Sequence, residues 1–202
     1  MTLASQPRPR AHALSLPNLL TYGRIAAIPA VVAALFWAQE FQGGLWLRWV
    51  ALVIFVAAAL TDMLDGYFAR MWELTSPLGR MLDPIADKLL VASCLLMLAA
   101  DGTIRPWSLW AAIVILCREI MVSGLREYLA ELRVSVPVSR LAKWKTAVQL
   151  VAIGFLIAGE AGDQVLPYTT DVGIVLLWIS ALVTLYTGWD YLRAASHHLI
   201  EE

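Results

Sequence analysis

Cysteine is close to absent from this chain: two of 202 residues, Cys94 and Cys117, each inside an apolar run with no Cys or His neighbour. That excludes a disulfide-stapled fold and a Cys/His metal centre, and both thiols read as buried and inert. Charge is also scarce. Asp, Glu, Lys and Arg make up 15% of the residues, against about 25% in an ordinary soluble domain. A formal net charge of −1 provides no basic surface for a nucleic acid, so that class of partner is excluded. Histidine is limited to His12, His197 and His198 near the two ends, and the adjacent pair reads as a solvated tail. No repeat, low-complexity tract or long linker divides the chain. What is present is hydrophobicity, at 60% of residues, which points to lipid as the solvent. Trp37, Trp46, Trp49, Trp107, Trp110, Trp178 and Trp189 fall near the ends of apolar runs, where an indole anchors at the membrane interface.

Arg8 and Arg10 followed by an apolar run to Ala38 resemble a secretion signal, but Arg24 and Pro29 interrupt the run, and the segment reads as a real span. Six apolar segments approach the length of a spanning helix: 19–38, 45–67, 85–99, 107–125, 147–158 with polar extensions, and 172–192. Turn chemistry separates them at Gln42–Gly44, Ser76–Gly79, Asp101–Gly102, Ser135–Pro137 and Gly159–Pro167, and the third helix is expected to start after Pro84. The expectation is an all-α polytopic membrane protein: one domain over 1–202, six transmembrane helices, and an interfacial or cytoplasmic arm at 1–16. Arg8, Arg10, Arg70, Arg80, Lys88, Arg126, Arg133, Arg140, Lys143, Lys145 and Arg193 fall on one side and only Arg48 and Arg105 on the other. By the positive-inside rule both termini and the charged 61–88 stretch are cytoplasmic.

The informative stretch is Asp62-x2-Asp65-Gly66-x2-Ala69-Arg70, then Gly79-x3-Asp83-x3-Asp87. Residues three or four apart share a helical face, so Asp62 converges with Asp65, and Asp83 with Asp87. The interval from Asp65 to Asp83 has room for a helix end, a loop and an antiparallel return, which lets two carboxylate clamps face one cavity. Ionised carboxylates beside hydrocarbon are unfavourable unless something positive fills the space between them. Oxygen ligands without His or Cys suit hard cations, Mg²⁺, Mn²⁺ or Ca²⁺, rather than zinc. Two such ions about 4 Å apart form the clamp used for displacement at phosphorus. Gly66 and Gly79 let backbone approach a flat base or a diphosphate, and Arg70 suits phosphate oxygens. A lone aspartate here would be an ordinary helix end, a lone glycine a packing residue, and Arg70 alone a positive-inside anchor. Four aspartates in this spacing are not explained that way.

This pattern resembles the full signature of the CDP-alcohol phosphotransferase family, with no departure at any signature position. The resemblance implies a six-helix membrane enzyme, commonly a homodimer, with a binuclear metal site at the cytoplasmic end of the bundle. It implies that Asp62, Asp65, Asp83 and Asp87 all touch metal, and that Asp87 is the base for the acceptor hydroxyl. It also implies that Asn18, Thr21, Asp62, Gly66, Arg70, Ser76 and Gly79 bind a CDP-activated lipid such as CDP-diacylglycerol.

A second cluster comprises Arg118-Glu119, Arg126-Glu127 and Lys143-Trp144-Lys145. Arg118 within an apolar run needs an anionic partner. One reading pairs it with Glu119, Glu127 or an aspartate. The other makes Arg118, Arg126, Lys143 and Lys145 a pocket for an acceptor that carries its own phosphate. Together with Leu16-Pro17-Asn18-Leu19-Leu20-Thr21, the cluster is similar to the bacterial branch of the family that uses sn-glycerol 3-phosphate, which implies an inner-membrane enzyme of phospholipid synthesis. Other acceptors of the family, namely inositol phosphate, serine and phosphatidylglycerol, are the alternative. A cation channel is a third reading, opposed by the gathering of acidic residues at one face.

Overall fold

A computed structural model of the chain describes the backbone of residues 16–72, 77–132 and 140–200, and their side chains except at 16–17, 62–72, 77–78, 80, 140–143 and 194–200. Six long helices follow one another: α1 (Leu16–Glu40), α2 (Trp46–Trp72), α3 (Pro77–Ala100), α4 (Leu109–Glu131), α5 (Arg140–Asp163) and α6 (Thr169–Ile200). A 3-10 turn at Pro106–Ser108 leads into α4, and there is no strand among the described residues. Helices are the expected answer to lipid, where each backbone N–H and C=O has to be satisfied within its own segment. The chain is an all-α, multi-pass membrane protein.

Among the described residues four stretches are long and apolar enough to cross a membrane: Asn18–Glu40, Pro106–Glu131, Trp144–Asp163 and Thr169–Arg193. In α2 the apolar stretch among the described residues is Trp46–Thr61, the side chains from Asp62 onward lying outside them. In α3 the first half carries Arg80, Asp83, Asp87 and Lys88. Charge thus enters both helices that carry the aspartate motif.

Several boundaries differ from the sequence expectation. α3 begins at Pro77 rather than after Pro84. Pro77 occupies the first helical position, where a missing N–H has no consequence, and Pro84 is carried inside the helix. α5 runs past the expected break at Gly159 to Asp163, although Gly159 itself is non-helical (φ 44°, ψ −128°). α6 continues to Ile200, so His197 and His198 belong to a helix rather than a tail. The 1–16 arm lies outside the described residues except for Leu16, where α1 already begins. Cys94 is buried as expected, whereas Cys117 is exposed. In a spanning helix both core and lipid faces are apolar, so composition could not tell them apart.

The core joins Val31 and Leu35 of α1, Phe55 of α2, Leu95 of α3, Ile115 of α4, Ile153 of α5 and Leu177 of α6. Lipid gives little hydrophobic drive between helices, so close backbone approach has to hold them. Buried Ala51, Ala58, Ala111, Ala112, Ala152 and Ala181 supply that approach. The seven anchor tryptophans are all exposed, as an interfacial role requires.

Arg48, expected on the far side of the membrane, is a buried staple. Its Nε donates to the Ile157 carbonyl (2.9 Å), Nη1 to Asp101 (3.0 Å), and Nη2 to the Leu156 carbonyl (3.0 Å) and the Thr103 hydroxyl (2.9 Å). Leu156 and Ile157 lie just before the interruption at Gly159, so their usual helical donors fall beyond it and the guanidinium takes their place. A Cβ on Gly159 would lie 2.5 Å from Arg48 Nη2, and its φ is one that L side chains rarely adopt. The side chains of Arg48 and Asp101 are 6% and 1% exposed, and removing one partner of so buried a pair costs about 3–5 kcal/mol. Arg105 and Asp171, 2.9 Å apart but exposed, contribute little. Arg48→Ala and Gly159→Ala are therefore expected to lower the thermal unfolding midpoint in detergent sharply, and Arg105→Ala to leave it almost unchanged.

Candidate active site

The site begins with helical spacing on α3, where Asp83 and Asp87 are four residues apart and share a face. α1 supplies what stands behind them. Asn18, Thr21 and Arg24 recur at three-residue intervals and are all buried. Thr21 Oγ1 donates to Asp83 Oδ1 at 2.5 Å, and Arg24 Nη1 to Asp87 Oδ1 at 2.8 Å. Both contacts advance together along the two helices, so α1 and α3 run parallel. Arg24 has no exposed side-chain surface, while the Asp87 carboxylate is 46% exposed. The α3 carboxylates are thus braced from the interior, and Asp87 remains accessible.

Lys88 is the basic residue next to Asp87 in the sequence. Lys88 instead donates to Ser123 of α4, and the cation on Asp87 is Arg24, 63 positions away. Arg24 was missed as a site residue. The signal was present, since an arginine in an apolar span requires an anion, but a linear sequence does not say which. Thr21, expected at the donor lipid, has its hydroxyl on Asp83, and Gly79 is buried beside this region. The backbone of α2 carries Asp62, Asp65, Gly66 and Arg70 in its second half. α2 returns antiparallel along α1, so these residues reach the end of the bundle where α1 starts. Their side chains, and Ser76 entirely, lie outside the described residues. Among the described residues no three acidic, His or Cys side chains gather into a metal cluster. The two described aspartates nonetheless suit a hard divalent ion: oxygen ligands one turn apart, hydrogen-bonded from behind by outer groups that fix their orientation.

The second cluster lies beside this one, linked by the Lys88–Ser123 contact one turn beyond Arg118-Glu119. Glu119 accepts from Lys145 of α5 and lies 3.6 Å from Arg118 Nη1. Arg118 Nη2 donates to Thr187 of α6 at 3.1 Å, while its buried Nε has no hydrogen-bond partner. Two cations therefore share one carboxylate and positive charge is left over. The pairing of Arg118 with Glu119 and a pocket for an anion are compatible. Arg126 stands 5.8 Å over the Tyr191 ring, near enough for its charge to act on both Arg118 and Lys145, and the Lys143 side chain lies outside the described residues.

Residues 14–186 match the profile of the CDP-alcohol phosphatidyltransferase family. The chain belongs to that family. A CDP-diacylglycerol–glycerol-3-phosphate 3-phosphatidyltransferase of Rickettsia bellii is 42% identical over 91% of this chain and 97% of its own length. An enzyme of the same name from Cereibacter sphaeroides is 37% identical over 93% and 98%. A cardiolipin synthase (CMP-forming) of Oryza sativa is 39% identical, covering 94% of this chain and 60% of the rice protein. As a CDP-alcohol phosphatidyltransferase the chain is an enzyme, and the end of the bundle bearing the aspartates is its candidate centre. Loss of an outer group that orients a ligating carboxylate lowers activity or metal affinity about 10–100-fold. Thr21→Val is expected to reduce CMP release by about that factor, with Thr21→Ser restoring most of it.

Proposed function

We infer that this chain transfers the phosphatidyl group of CDP-diacylglycerol to sn-glycerol 3-phosphate, giving phosphatidylglycerophosphate and CMP. One observation carries this reading: the Rickettsia and Cereibacter relatives, matched over nearly their whole lengths, are named for that reaction. The excess positive charge around Arg118 and Lys145 supports an acceptor that bears a phosphate.

Two Mg²⁺ or Mn²⁺ ions held by Asp62, Asp65, Asp83 and Asp87 would polarise the diphosphate and neutralise charge on the departing CMP. The remaining work belongs to side chains of the chain itself. Asn18, Thr21, Gly66, Arg70, Ser76 and Gly79 seat the CDP portion, with Asp62 shared between donor and metal. Arg118, Arg126, Lys143 and Lys145 hold the acceptor phosphate. That anchorage places the 1-hydroxyl toward α3, where Asp87, fixed by Arg24, receives the hydroxyl proton as the oxygen attacks the β-phosphorus. The bond from that phosphorus to CMP breaks, and no covalent enzyme intermediate is required.

The Lys/Arg distribution supports a bacterial inner-membrane protein crossing six times, with both termini and the aspartate-bearing end cytoplasmic. CDP-diacylglycerol then enters sideways from the inner leaflet. A homodimer is the assembly the family suggests. The rice relative keeps a second reading in view, in which the acceptor is phosphatidylglycerol.

The test supplies purified protein with CDP-diacylglycerol, labelled glycerol 3-phosphate and Mg²⁺ or Mn²⁺, with phosphatidylglycerol as competitor. Label is expected to enter the lipid phase in step with CMP release, and chelation to stop both. Asp87→Ala should lower turnover by about a hundredfold or more and, because it strips the buried Arg24 of this anion, lower the unfolding midpoint as well. A folded Asp65→Ala variant with near-normal turnover contradicts the scheme, and label-free CMP release with phosphatidylglycerol alone favours the second acceptor.

A further inference from the structure

Resting on the acceptor reading above, we propose that Thr187 and Gly188 of α6 are positioning residues that set the height of the Arg118 guanidinium and so select an acceptor carrying a phosphate.

Three observations meet at this point. Arg118 extends from α4 toward α6, where its Nη2 donates to Thr187 Oγ1 at 3.1 Å. That hydroxyl is itself fixed, donating to the Val183 carbonyl at 2.9 Å, so it is a stationary acceptor and not a free rotor. Directly beside it, Gly188 lies under the arginine stem: a Cβ there would meet Arg118 Cγ at 2.9 Å and Nε at 3.2 Å. Backbone carbon lies flat beneath the side chain, with no room for even a methyl group.

On the opposite side of the guanidinium stands Glu119, which also receives Lys145. Arg118 is therefore held between an anion from α4 and a hydroxyl floor from α6. A buried arginine with many rotatable bonds would otherwise choose among several partners, and each choice would move its charge by ångströms. Bidentate recognition of phosphate tolerates little such displacement. Its Nε, buried and without a hydrogen-bond partner, is the donor left over by this arrangement.

This explains why α6, which contributes no charged residue to the cluster, packs its Thr187–Gly188 pair against Arg118. It also separates two kinds of defect. Removing Arg118 abolishes the charge. Lifting it by one methyl group retains the charge and misplaces it, so acceptor binding weakens while the CDP-lipid, seated on α1, α2 and α3, is unaffected.

The experiment measures KM for glycerol 3-phosphate and for CDP-diacylglycerol separately, in wild type, Gly188→Ala, Thr187→Val, Thr187→Ser and Arg118→Gln. Unfolding midpoints are followed in parallel. Gly188→Ala is expected to raise the glycerol 3-phosphate KM about tenfold or more, with the CDP-diacylglycerol KM unchanged. Thr187→Val should do so more mildly, and Thr187→Ser should restore it. If Arg118→Gln raises that KM and folded Gly188→Ala and Thr187→Val do not, the positioning role is overturned and the acceptor reading stands. If Arg118→Gln itself leaves the KM unchanged, the acceptor reading falls. Should Gly188→Ala fail to fold, the Thr187 pair decides: equal KM for Val and Ser overturns the proposal.

Discussion

The pairing of Arg24 with Asp87 governs the rest of this structure. An arginine wholly removed from solvent in a spanning helix is tolerable only when an anion meets it, and carboxylates crowded beside lipid are tolerable only when cations meet them. Each therefore fixes the other. The contact is made at 2.8 Å between α1 and α3, with the Thr21–Asp83 bond one turn earlier. Together they set the register of the two helices against each other and present the α3 carboxylates outward from a closed back wall.

The two ends of the bundle answer the same constraint differently. Around Arg48 every partner is internal: Asp101 is 1% exposed, and the guanidinium also satisfies two carbonyls beside the break at Gly159. Such a network is complete and has no capacity for a ligand. Around Arg24 the anion is 46% exposed. One end is a closed structural pin, and the other leaves reactive oxygen open on one side. The Arg118 group belongs with the second kind, because two cations meet a single carboxylate there.

Much of this was legible in the chain. Apolar runs divided by Gly, Pro and Asp turns located the helices, because a backbone in lipid has little alternative to helix, although α3, α5 and α6 extend well beyond the expected runs. One misplaced boundary came from a proline: Pro84 read as the residue before a start and proved to be internal to α3. The Asp83–Asp87 pair was legible because i, i+4 spacing is a local property. Arg24 and Arg48 were visible as anomalies, yet their partners, Asp87 and Asp101, lie far along the chain. Cys117 shows the same limit from the apolar side, where a lipid face and a core face have one composition.

The sequence by itself determined the solvent, the helical class and the family chemistry, since hydrophobic length and the spacing of aspartates along one helix are written in consecutive residues. Only the tertiary structure decided which cation meets which carboxylate, which charged group is sealed and which stays open, and that α6 lies beneath Arg118. Those outcomes depend on distances between helices, and the energy of a charge beside lipid is set by what stands within a few ångströms of it, wherever that group falls in the chain.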